Sequence, residues 1–400
     1  MKNPAKTTKP TRLVMFSFGI LEQGGGFENY VIEVACNLAK RYPDLQVTVV
    51  TMGPEMVEKL QRIYTVYFMS KQDPKAIYRE DYDNILQRLG GAAYVRAESF
   101  KELKKILHSA DVILTKNELL ELSVLKMIGT KKLPPIIVGV HTAIYYPSAK
   151  TLNAKLHNLL YTGAIYKSLL KHTRLMTVLN AEDLEFIKSK LHRNDVKVIH
   201  YPFNVPPLKQ ARHTSGEFRL LFVGRLSQQK GLPLLDEIIR KIASDDYLAK
   251  KVKIKIAGSG EVALINQVKQ LVAEHPFVEY LGHVPNKDTR ELYDWADGTL
   301  ITSSFETLNR VAVETALAGK VVISTDITGP REVIRRDETG FLVPLHADAF
   351  VACIKTLMER KASSPDAFYE IGKKAYAKIK LEFADDSVYP QLYNEIKHVA

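Results

Sequence analysis

Two cations and two carboxylates in the second half of the chain are spaced to act on a phosphate-bearing molecule. Arg225 and Lys230 lie in FVGRLSQQKG, behind Gly224 at the close of an apolar run. Two fixed positive side chains there can neutralise one anionic ligand, the arginine as a forked pair of donors and the lysine as a point charge. Glu306 and Glu314 lie in ITSSFETLNRVAVETALAGKVV. The apolar spacing of Leu308, Val311, Ala312 and Ala316 predicts a helix starting near Leu308, with Glu306 just before it and Glu314 about two turns in. A carboxylate so placed can accept both hydroxyls of a ribose whose pyrophosphate rests on the helix N-terminus. Taken singly, each of these side chains also reads as a solvated surface group.

Glycines mark further points of backbone approach. In KIKIAGSGE, Gly258, Ser259 and Gly260 follow an apolar strand and precede an acid. The turn reads either as a nest of backbone N–H groups around a ligand or as a plain strand-to-helix connection. In the first half, Gly24, Gly25 and Gly26 precede a segment whose Val31, Val34, Ala35 and Leu38 recur at helical spacing. Glycine lets a ligand come close to the main chain, although this run matches neither the dinucleotide fingerprint nor a Walker loop. His141 ends the apolar run 136–141, where a histidine is either a ligand contact or a structural residue.

These residues need a scaffold, and the pattern around them supplies one. Apolar runs of strand length alternate with segments of helical period, which is the mark of an α/β protein with parallel sheets. Strands are expected at 12–18, 46–52, 63–69, 111–115, 136–141, 175–179 and 196–200, and again at 218–223, 252–257, 278–281, 299–302 and 321–325. Between the two sets lies YPFNVPPLKQARHTSGE at 201–217, whose prolines resist both helix and central strand. The expected division is 1–205, 206–380 and a terminal helix within 381–400 that crosses back to the first domain. Ser364 and Pro365 are placed to open a helix running to residue 383.

Composition bounds the rest. A chain of 400 residues exceeds one ordinary core, and 46% hydrophobic with 25% charged residues fits a folded globular protein. Cys36 and Cys353 are the only cysteines, so no disulfide framework or cysteine-based metal site is available. No segment approaches the roughly 20 apolar residues that span a bilayer, and the expected location is cytoplasmic. The net charge of +11 points to anionic partners. Between Leu122 and Ala181 there is no acid, while TLNAKLHNLLYTGAIYKSLLKH mixes apolar residues and lysines. That segment reads either as a helix lying on an anionic membrane face or as a helix packed on the sheet with its lysines outward. Nucleic-acid motifs are missing, and no nucleic-acid partner is expected.

FVGRLSQQKG, IAGSGE, YLGHV, ELYDWAD, the two glutamates and STDITGPREVIRRDETGFLVP occur in order. Together they resemble the retaining glycosyltransferases of family 4, most closely over about 218–360 and more weakly through GGGFENYVIEVACNLAKRYP and His141. The resemblance implies the GT-B architecture, two Rossmann-like doubly wound domains facing each other across a cleft. It implies a nucleotide-sugar donor, UDP-linked more often than GDP-linked, and a glycan or polyprenyl-phosphate-linked acceptor. Arg225 and Lys230 would neutralise the pyrophosphate, Glu306 would sit at the transferred sugar and His141 would contact it. Gly224, Gly258, Gly260, Val284, Leu308, Asn309 and Glu314 would line the nucleotide site, with Gly25 and Gly26 opposite. No metal or further cofactor is expected, because the second half holds no DxD motif or His/Asp cluster. The family commonly has Glu-Gly-Phe-Gly where this chain has Glu306, Thr307, Leu308 and Asn309. Two other readings keep the fold: a catalytically impaired nucleotide-sugar-binding protein, or a nucleotide-sugar epimerase.

Overall fold

The computed structural model of the chain describes residues 9–19, 21–23, 26–57, 82–146, 152–285 and 288–400. They form two compact units, one of Met1–Ile199 with Tyr389–Ala400 and one of His200–Val388.

The first unit holds strands β1 (Thr11–Ser17), β2 (Leu45–Met52), β3 (Ala93–Ala97), β4 (Val112–Lys116), β5 (Ile136–Val140), β6 (Leu175–Val178) and β7 (Val196–Val198). They pair in parallel in the order β3-β2-β1-β4-β5-β6-β7. The second unit holds β8 (Phe218–Val223), β9 (Val252–Ala257), β10 (Val278–Gly282), β11 (Gly298–Ile301), β12 (Val321–Thr325) and β13 (Phe341–Val343). Their order is β10-β9-β8-β11-β12-β13, again parallel. Central strands such as β5, β11 and β12 are buried along their whole length, because helices cover both faces of a parallel sheet. Each sheet starts in its middle and reverses between β1 and β4, or between β8 and β11. Loops from the two sides part at that point and leave a crevice at the carboxyl ends of the strands.

The observed strands begin and end within two residues of the expected ones, with three exceptions. The strand expected at 63–69 lies outside the described residues. β3, whose sequence is AYVRA, was not expected: it is an edge strand of mixed exposure whose fourth residue, Arg96, breaks the apolar pattern. β13 is three residues long, too short for any periodicity to show.

The chain ends in helices Ala347–Ser363, Pro365–Glu382 and Asp385–Val399. Pro365 opens the second of these, while Ser364 stands at its N-cap position without making the side-chain cap that its type suggested. The last helix carries Tyr393, which stacks on Tyr42 with ring centroids 4.0 Å apart and donates to Asp44 at 2.7 Å. Lys397 reaches Thr11 Oγ1 at 2.9 Å and Asp44 at 3.0 Å, and Glu395 pairs with Lys197 at 2.6 Å. Residues 389–400 thereby belong to the first unit.

Candidate active site

In the second unit, the loops leaving β8 and β11 come together. Lys230 Nζ lies 2.5 Å from Glu306 Oε1, and Ser303 Oγ donates to the same oxygen at 2.8 Å. Glu306 is 7% exposed, so its charge is held by a cation and a hydroxyl and not by water. The loop is pinned from behind: Gly329 N donates to Glu306 O at 2.9 Å, and a Cβ at Gly329 would come within 2.8 Å of Glu306 Cβ. Arg225, from the same loop as Lys230, is exposed and has no hydrogen bond or ion pair among the described residues. One cation is thus engaged within the protein and the other is free to meet an anion.

Helix Arg310–Leu317 begins two residues later than the periodicity predicts. Its N-cap is Asn309, whose side chain accepts from Ala312 N at 2.9 Å at φ −96°. This explains the departure from Glu-Gly-Phe-Gly: the position uses a capping side chain in the ordinary extended region and has no need of a glycine's positive φ. The cap fixes the helix that carries Glu314. Tyr293 Oη donates to Glu314 Oε2 at 2.8 Å and sets the carboxylate's orientation. The other oxygen lies 3.8 Å from Arg310 Nε, with 32% of the side chain exposed.

The glycines after β8 and β9 have a different purpose from the nest that IAGSGE suggests. A Cβ at Gly258 would sit 1.8 Å from Gly224 O, and one at Gly260 would sit 2.2 Å from Leu226 O. The two loops zip together through Gly224 N to Ala257 O at 3.0 Å and Leu226 N to Ser259 O at 2.9 Å. Gly258 N is spent on Gly282 O at 2.7 Å, so it is not open to a ligand. Leu308 is half-buried in the loop after Glu306, and Val284 is half-buried just past β10.

The first unit gathers a second group. Gly25 lies outside the described residues; Gly26 opens helix Gly26–Arg41. Tyr30 of that helix packs on His141, with ring centroids 4.2 Å apart. The ring of His141 folds over Gly139, where a Cβ would approach Nε2 to 2.6 Å. Nearby, Glu121 is 1% exposed and accepts from Phe18 N at 3.0 Å and from Lys116 at 3.2 Å. Desolvation first, and then the charge of Lys116, lowers the His141 pKa to about 3. The imidazole is therefore neutral at pH 7, suited to accept or donate a hydrogen bond and not to act as a cation. As pH falls below about 6.5 the unfolded chain takes up this proton and the folded one does not, so the first unit loses stability from there down to about pH 3. We expect the His141 imidazole NMR signal to show no midpoint between pH 5 and 8, and His141→Gln to flatten the unfolding temperature against pH over that acid range. A midpoint near 6.5 would contradict the lowered pKa.

Sequence reading missed Ser303, Tyr293, Gly329 and Gly139. Tyr293 and Gly329 lie in segments that matched by order, but their hydrogen-bonding and close-approach roles depend on loops distant in sequence.

The run of segments in the second unit has a counterpart in known proteins. Residues 217–360 match the sequence model of the glycosyl transferases group 1. This group 1 region takes in every site residue of the second unit named above. An uncharacterized glycosyltransferase of Methanocaldococcus jannaschii is 35% identical over 129 residues, 32% of this chain and 32% of that protein. The gpi3 subunit of the phosphatidylinositol N-acetylglucosaminyltransferase of Schizosaccharomyces pombe is 27% identical over 229 residues, 56% of this chain and 47% of its own. The chain thus spans less than half the length of these curated relatives. Among solved structures, Anabaena HepE in complex with UDP superposes with a TM-score of 0.69 at 16% identity, covering 97% of this chain and 100% of its own. The sucrose-phosphate synthase of Thermosynechococcus elongatus gives 0.69 at 16% identity, covering 98% and 100%. The fold is that of the GT-B glycosyltransferases, two Rossmann-like parallel-sheet α/β domains.

Proposed function

We propose that the chain is a retaining glycosyltransferase that moves a sugar from a nucleotide-diphosphate donor, UDP-linked in preference to GDP-linked, to a hydroxyl of a glycan or lipid-linked acceptor. The observation that carries this reading is the Lys230–Glu306 contact at the β8/β11 reversal, with Arg225, on the same loop as Lys230, making no ion pair among the described residues. In sugar transfer the anomeric carbon–oxygen bond breaks and its electron pair leaves with the diphosphate, so the barrier lies in stabilising that growing negative charge. Arg225 and Lys230 supply positive charge already in place, which costs no reorganisation at the moment of reaction. Lys230 would turn from Glu306 to the diphosphate, and Glu306 would then hold the transferred sugar through its hydroxyls. Glu314, with one oxygen fixed by Tyr293, would take the ribose with the other. The acceptor oxygen would attack from the face that the diphosphate leaves and pass its proton to a departing phosphate oxygen, which retains the anomeric configuration. A neutral His141 would contribute a hydrogen bond to the sugar. The fixed cations perform the charge neutralisation without a metal ion or other cofactor.

UDP at about 100 times its dissociation constant should stabilise the folded protein by about 2.7 kcal/mol, a rise of several degrees in unfolding temperature. GDP and ADP should give less, and Glu314→Ala should remove most of the UDP effect. No shift with any nucleotide or nucleotide sugar would overturn the donor site.

A further inference from the structure

Helix Leu152–Thr162 of the first unit leaves an apolar stripe exposed. Its inward face sets Tyr161 and Leu160 against the core and is otherwise polar: His157 Nε2 bonds Ala143 O at 2.9 Å, Asn158 holds Tyr146 by two bonds at 2.8 and 2.9 Å, and Tyr161 Oη donates to Glu118 at 3.3 Å. Its outward face is apolar. Leu152, Leu156 and Leu159 recur at helical spacing and are 80%, 51% and 67% exposed, and Ile165 at the start of the next helix is 70% exposed. A helix of a globular protein ordinarily turns such a stripe inward, since exposing three leucines forfeits their burial energy. The polar face is already satisfied within the fold, so the leucines are left for something outside it.

Along the segment of chain that carries this stripe the charge is of one sign, while Glu118, from outside that segment, meets the inward face. No acid occurs from Leu122 to Ala181, while Lys126, Lys131, Lys155, Lys167 and Lys171 do. Lys126 Nζ lies 3.4 Å from Ser168 Oγ on helix Ala164–Leu170. Lys171 closes that helix as its C-cap, and the charges of Lys126, Lys131 and Lys171, after desolvation, lower the pKa of His172 just past it.

We propose that the exposed stripe Leu152, Leu156, Leu159 and Ile165 docks on an anionic lipid bilayer, with Lys126, Lys131 and Lys171 on its headgroups. Charge complementarity selects this occupant. A second copy of the chain would bring the same cations against themselves, and a nucleic acid would leave the leucines unburied. Apolar side chains entering the boundary between headgroups and acyl chains, flanked by lysines, are what interfacial helices use to bind such surfaces. The inference does not depend on the transferase reading, because it rests on this face alone. Among the described residues no helix is long and apolar enough to cross a membrane, so the contact would be peripheral.

Co-sedimentation of the full chain with phosphatidylcholine vesicles, with and without phosphatidylglycerol, tests it. Binding should appear with the anionic lipid and weaken with added salt. Replacing each of Lys126, Lys131 and Lys171 by Gln should lower the partition coefficient about fivefold per lysine. Leu159→Glu should lower it on the order of tenfold, with circular dichroism and the UDP-induced thermal shift unchanged, since the side chain is exposed. Background sedimentation with both vesicles would overturn the proposal, as would equal binding to neutral vesicles. It would also fall if the chain formed a dimer that Leu159→Glu dissociates, or if a duplex oligonucleotide bound in place of the vesicles.

Discussion

Lys230→Ala should lower kcat by about 100- to 1,000-fold, the usual cost of removing one preorganised group that stabilises developing charge. The lysine side chain is 29% exposed, which leaves room to turn from Glu306 to a donor diphosphate. The effect on KM should be smaller, because in the proposed site Glu314 and the helix behind Asn309 would still hold the nucleotide. Removing the ammonium also strands Glu306, a nearly buried carboxylate left with only Ser303, so some stability is lost as well. The double variant Lys230→Ala with Glu306→Gln separates the two effects: it restores the unfolding temperature and leaves turnover low. The assay is initial-rate product formation from UDP-sugar in excess EDTA. Turnover within threefold of the parent protein would remove Lys230 from the reaction.

Gly258→Ala should cost the second unit about 3 kcal/mol or more, lowering its unfolding temperature by on the order of 10 °C. Gly258 has φ +153°, a region side chains rarely adopt, and the new Cβ would press on a carbonyl oxygen, which cannot swing aside as a flexible side chain would. The β8 and β9 loops would have to part, and Arg225 and Lys230 would move with the first of them. Differential scanning calorimetry distinguishes the two purposes open to this glycine in the sequence. A residue kept only to admit a ligand would lose UDP affinity with unfolding temperature intact; a residue kept for loop packing loses stability even without nucleotide.

The sequence carried the class of fold and most strand positions, because strands buried on both faces must be nearly continuous apolar runs. It did not carry the order of strands in each sheet, which no single segment encodes, nor β3, whose Arg96 interrupts the pattern at an exposed edge. Arg225, Lys230, Glu306 and Glu314 could be singled out because they fall in segments whose order resembles a known family, although each alone also reads as a solvated surface group. Their partners were hidden. Ser303 and Tyr293 are ordinary residue types, and only folding brings them to Glu306 and Glu314. Gly258 was visible as a glycine but not as a point where two backbones touch. Helix Leu152–Thr162 shows the limit most plainly: amphipathic spacing gives two faces and leaves unsaid which of them the protein keeps for itself.

The return of residues 389–400 to the first unit has a consequence for how the chain is made. Tyr393, Glu395 and Lys397 leave the ribosome only after the whole of His200–Val388. At ordinary elongation rates that intervening unit takes roughly 10 to 40 seconds to synthesise. For that interval Tyr42 has no ring to stack on and Asp44 has neither the Tyr393 hydroxyl nor the Lys397 ammonium beside it. The second unit can finish folding as it emerges, whereas the first must wait, partly assembled, for its closing helix. In a cell, the half made first is thus the half completed last, and it is the one most dependent on protection from aggregation during synthesis.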